Sequence, residues 1–80
     1  MNPAAVLQLR AKQLADDQAA FLAGKIKASE ARGGLDGIGW TRQIAVLAAR
    51  EAGQLQATDY LDALARFDAA ADALALILTS

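Results

Sequence analysis

The side chains able to do chemistry in this chain are carboxylates, amines, guanidines and one phenol, because its 80 residues include no histidine and no cysteine. Those absences remove the commonest general base, the commonest metal ligand, the thiolate nucleophile and any disulfide framework. Four aspartates stand out by spacing: Asp59 and Asp62 are three apart, Asp68 and Asp72 four apart. On a helix such separations bring side chains together, and paired carboxylates serve as acid and base or hold a metal. Di-metal helical sites, however, draw carboxylates from several helices and add histidine in a Glu-x-x-His motif. Here the two glutamates, Glu30 and Glu51, fall in separate helical stretches. Asp59, Asp62, Asp68 and Asp72 are therefore read as a solvated acidic face, and no catalytic, metal-binding or cofactor-binding residue is expected.

A second candidate is the glycine-rich run Gly33-Gly34-Leu35-Asp36-Gly37-Ile38-Gly39-Trp40, which holds four of the six glycines and the only tryptophan. Phosphate-cradling loops need a preceding strand and either G-x-G-x-x-G or a terminal Gly-Lys-Ser/Thr. After Gly37 and Gly39 that order requires a glycine where Arg42 stands, and what precedes is helical in pattern. Glycine gives up the most backbone freedom on folding, so the cluster reads as a connection, 33–39, between helices. Leu35, Ile38 and Trp40 within it either plug the end of a bundle or form a contact surface, tryptophan being enriched at binding hot spots.

DNA reading by a helix-turn-helix is disfavoured. The helix that would enter the major groove opens with Asp59 and Asp62, and phosphate neutralisation supplies most of the affinity in such complexes. The net charge of −1 offers no general attraction for nucleic acid or anionic lipid. No stretch approaches the roughly 18 apolar residues of a membrane span, and no basic region followed by an apolar core opens the chain. A cytoplasmic protein is the expectation, a virion component being compatible with it.

These residues must be positioned by helices. Alanine accounts for 21 of the 44 apolar residues, which favours helix strongly and buries little surface per residue. Asn2-Pro3 is a helix start, with Asn at the N-cap and Pro at the first helical position. Leu7, Ala11, Leu14, Ala15, Phe21, Leu22 and Ile26 recur at helical spacing, so a first helix is predicted over about 3–31, bent near Gly24. Ala20, Gly24 and Ala28 place small residues four apart, which suits either a weakened helix or a close helix crossing. A second helix is predicted over 41–52, capped by Thr41 or starting a little earlier at Asp36, ended by Gly53 in a left-handed turn, and buried through Trp40, Ile44, Leu47 and Ala48.

The third predicted helix, 59–78 after a Thr58 cap, has the cleanest pattern. Tyr60, Leu64, Phe67, Ala71, Leu74 and Leu78 are spaced as the seam of a left-handed helical pairing, too short for an independent coiled coil and suited to packing against the first helix inside a bundle. Leu76 and Ile77 point away from that seam, leaving the last turn apolar on several sides. Ala49-Arg50-Glu51-Ala52-Gly53-Gln54-Leu55, with Asp59-Tyr60-Leu61-Asp62-Ala63, resembles the helical repeat of outer-membrane efflux channels over about a third of the chain. That resemblance implies a helical hairpin.

The fold expected is all-α, one small domain over 1–80, a three-helix bundle or open helical hairpin whose core is completed by oligomerisation. The function expected is non-enzymatic: a structural or interaction protein, such as an assembly or accessory component of the kind phages and mobile elements encode. Its interface would use Tyr60, Leu64, Phe67, Leu74, Leu76, Ile77 and Leu78, with a second copy of the chain as partner. The alternative expectation is an acidic adaptor or inhibitor protein that offers its aspartate-rich third helix to a basic partner surface.

Overall fold

A computed structural model describes residues 1–80 and is all-helical, with four helices: α1 (Pro3–Leu22), α2 (Ala28–Leu35), α3 (Ile38–Glu51) and α4 (Thr58–Thr79). The molecule is a rod of 42 × 19 × 19 Å. The α1–α4 contact is the largest, α2 and α3 both pack on α1, and α3 touches α4 only slightly.

Asn2 caps α1 as its sequence predicts, its Oδ1 accepting from the Ala5 N–H at 3.2 Å. The helix then ends at Leu22 instead of continuing to 31. Gly24 takes φ +73°, the Lys25 N–H donates to the Ala20 carbonyl at 2.8 Å, and the Gly24 N–H to that of Phe21 at 3.0 Å. This 6→1 and 5→2 pair is a Schellman ending, which satisfies carbonyls the helix would otherwise leave free. A Cβ on Gly24 would meet nothing within 4 Å, so neither a close crossing nor a merely weakened helix describes it. Gly53 ends α3 in the same way, with φ +68° and Gln54 donating to Ala49, and there the left-handed turn read from the sequence is present.

The glycine-rich connection is largely helical. Gly33 and Gly34 lie inside α2, Gly39 and Trp40 inside α3, and only Asp36-Gly37 separates the two helices. Each interior glycine costs about 1 kcal/mol relative to alanine, but tertiary packing supplies most helical stability in proteins and outweighs it here. Ala31 of α2 is fully buried, the Lys27 N–H donates to Glu30 Oε1, and Arg10 Nη2 of α1 donates to the Gly34 carbonyl at 3.0 Å. The last of these places a cation at the α2 C-terminus, where the helix dipole favours it. Arg10 Nε is buried without a partner of its own.

The core consists of Leu7, Leu14, Tyr60, Phe67 and Leu74 together with five alanines, Ala31, Ala45, Ala49, Ala63 and Ala71. Small side chains shorten the distance at which helices pack. From the predicted α1 stripe, Leu7 and Leu14 are buried, and Ala11, Phe21 and Ile26 are half-buried, whereas Ala15 and Leu22 face solvent. Thr58 is the first residue of α4 and Ala57 its N-cap. Helix α4 equals α2 and α3 in combined length and packs against both.

Candidate interaction face

Helix α3 turns its alanines inward. Ala45 and Ala49 are fully buried and Ile38 packs half-buried against the core, while Trp40 is 67% exposed and Leu47 45%. The burial of α3 through Trp40, Ile44, Leu47 and Ala48 is thereby corrected: Ile44 and Ala48 are half-buried, and the two bulkiest members stand outside. At about 100° per residue, Ile38, Ala45 and Ala49 form one stripe, and Trp40 and Leu47 the stripe opposite. Two faces of α3 can bury against a helix, and the one that does carries the smaller side chains, Ala45 and Ala49, with Ile38 at its start.

Along one flank of α3, between the buried stripe and the Trp40–Leu47 stripe, runs a shallow furrow lined by Gly39, Arg42, Gln43, Val46, Leu47 and Arg50. The positions recur at i, i+3, i+4, i+7, i+8 and i+11, so they form two successive four-residue holes of the kind that receives a knob from a facing helix. Gly39, lacking a side chain, opens one end. One margin is fixed by Arg42, whose Nε donates to Asp68 Oδ1 at 3.0 Å and whose Nη2 donates to Oδ2 at 3.1 Å. The hydrogen bonds to Asp68, and then its charge, raise the Arg42 pKa above the ordinary guanidinium value. Arg42 lies nine residues before the end of α3 and Asp68 ten after the start of α4, so the pair ties two antiparallel helices equally far from their connection. Arg50 is exposed and makes no ion pair.

The residues read as an interface divide. Tyr60, Phe67 and Leu74 are buried in the core, and Leu64 and Leu78 are packed half-buried against it, so this seam is used within the chain. Leu76 remains 71% exposed, and Ile77 is half-buried. Of the presumed loop contacts, Leu35 and Ile38 pack against the core as plugs, while Trp40 stands free.

The four aspartates do not make one face. Asp59 and Asp68 are nine residues apart, about two and a half turns, and so point to opposite sides of α4. Asp68 is moreover occupied by Arg42, so the acidic face resolves into Asp59 and Asp62 on one flank and Asp68 and Asp72 on the other. No group of three acidic side chains converges as metal ligands would.

Compared with protein-family models, curated proteins and solved structures, the chain matches none. No helix is long and apolar enough to cross a membrane. Sequence reasoning did not single out Gln43, Val46 and Arg50. The available signal was the spacing of Ile38, Ala45 and Ala49, a second stripe on α3 whose small members suit a crowded core.

Proposed function

We propose that this chain is a non-enzymatic interaction protein, a small structural or assembly component, and that the outward face of α3 is its contact surface. The observation that carries the reading is the placement of Trp40 and Leu47 on one side of a helix that packs through Ala45 and Ala49 on the other. Exposing a tryptophan and a leucine seven residues apart leaves apolar area in water, and a partner removes it at roughly 25 cal/mol per Å². Tryptophan is also the residue type most enriched among binding hot spots. The phenol of Tyr60, the chain's one candidate proton donor of its kind, is committed to the core.

The test uses a photo-crosslinking amino acid at Gln43, in the furrow, in the cells that naturally make the protein, with Lys12 on the exposed side of α1 as control. The expected result is a discrete adduct from position 43, none from position 12, and loss of the adduct when Trp40→Gln and Leu47→Glu are combined. Absence of any adduct from position 43 refutes the proposal.

A further inference from the structure

Helix α2 is the least anchored element of the fold. Of the ten core residues it supplies only Ala31, with Ile26 and Leu35 half-buried at its two ends. Its eight residues fall short of the roughly 12–15 below which a helix is marginal in water, and two of them are interior glycines. Neither ion pair of the molecule, Lys12–Asp16 or Arg42–Asp68, reaches it. The connections on its two sides each hold a glycine at positive φ, Gly24 at +73° and Gly37 at +77°. The largest helix contact, between α1 and α4, does not pass through α2, and α3 packs on α1 without it.

What α2 covers is one stripe of α1. Arg10, Leu14 and Asp17 stand at i, i+4 and i+7, and the two outer members both meet Gly34. Arg10 Nη2 donates to the Gly34 carbonyl at 3.0 Å, and the Asp17 carboxylate fills the space a Cβ would take there. Leu14, between them, is fully buried. The close approach depends on a glycine, and that same glycine weakens α2 as a helix. The attachment also leaves Arg10 Nε buried without a partner. A buried donor of that kind forgoes the hydrogen bond that water would give it, so undocking α2 recovers one bond as it breaks another.

We infer that α2 is a strap: it opens as a unit through the connections at Gly24 and Gly37, while α1, α3 and α4 stay assembled, and opening bares Leu14 between Arg10 and Asp17. Sub-global openings of this kind belong to segments with few buried apolar contacts and lie below global unfolding in free energy. Closed, the strap withholds an apolar patch flanked by one cation and one anion; open, it displays that patch. The device does not rest on the role proposed for α3.

Two measurements on the wild-type chain test it. Native-state hydrogen exchange across a urea series below the unfolding transition follows the amides of 31–35, beginning with the Ala31 N–H that donates to the Lys27 carbonyl. They should be protected at least about a hundredfold less than the interior amides of α1, α3 and α4, with a shallow urea dependence, because opening α2 exposes little of the surface that global unfolding does. Hydroxyl-radical footprinting then reads the side chains: Leu14 should be oxidised faster than Leu7 and Leu74, which are equally buried in the closed form. Protection and urea dependence in α2 that match those of α1 and α4 overturn the inference, as does loss of protection shared by α2 and α3. Oxidation of Leu14 no faster than that of Leu7 and Leu74 overturns it as well.

Discussion

Asp17 on α1 occupies the space that a Cβ on Gly34 of α2 would need. Gly33, its neighbour, has open space at the same point and an ordinary helical φ. Gly33→Ala should therefore stabilise the chain by up to about 1 kcal/mol in urea unfolding, the helix-propensity difference. Gly34→Ala should gain less, because the Asp17 carboxylate must first rotate away. Combining it with Asp17→Ala should restore the missing part, so the double-mutant cycle is non-additive. Equal gains at 33 and 34 would contradict the close approach.

Alanine at Gly24 or Gly53 should act with the opposite sign. Both residues sit at positive φ in Schellman endings, where an L side chain costs roughly 1–2 kcal/mol. Thermal melts of Gly24→Ala and Gly53→Ala should each show a lowered midpoint. A raised midpoint for Gly24→Ala would mean that α1 runs unbroken into α2.

The Arg42–Asp68 pair lies at the surface, where such contacts are worth about 0.2–1 kcal/mol and are screened by salt. Asp68→Ala should lose that amount at low ionic strength and less of it in 1 M salt, where the Debye length is about 3 Å. The raised Arg42 pKa has a definite sign: its stabilisation is complete below the unfolded arginine pKa and is lost only as pH rises through the higher folded value. Titration of Arg42 therefore contributes no slope between pH 5 and 9. A stability slope in that range that disappears in Arg42→Gln would count against this.

How much of this was legible beforehand follows from which forces wrote each element. The start of α1 at Asn2-Pro3 and the seam Tyr60-Phe67-Leu74 of α4 are local patterns, and they stand where the sequence places them. The break at Gly24 rests on a local left-handed ending that a run of good helix formers obscured, whereas the helical state of Gly33 and Gly34 is not local, because glycine propensity competes there with contacts from α1. The orientation of α3 was hidden for a related reason. Bulk argued for burying Trp40 and Leu47, whereas the face turned to the core is the one carrying Ala45 and Ala49. The acidic face failed on arithmetic alone, since the nine residues between Asp59 and Asp68 already put them on opposite sides.

Phe67 and Leu76 test the division of α4 into an inner and an outer side. Phe67 is among the largest fully buried side chains, and truncation to alanine costs about 3–5 kcal/mol at such sites. A domain of this size has roughly 4–12 kcal/mol in all, so Phe67→Ala should unfold far below the wild-type midpoint. Leu76→Asp should change the stability of the dilute chain by no more than about 0.5 kcal/mol, as exposed substitutions do. A large loss at Leu76 under dilute conditions would show that its turn is packed inside a single molecule.

Trp40 is the only tryptophan and lies on the proposed contact face, so its fluorescence reports that face without labelling. In the dilute chain the indole is two-thirds exposed, and its emission should be red-shifted and readily quenched by acrylamide. Leu47→Glu, two turns further along the same stripe, should leave both properties of the dilute chain unchanged, because Leu47 is not among the side chains packed against the core. When the α3 face is occupied, the spectrum should shift to the blue and quenching should fall, in parallel with any increase in mass. Leu47→Glu should abolish that change while sparing helicity. An indole already shielded at high dilution would place Trp40 inside the bundle and remove the surface on which the contact depends.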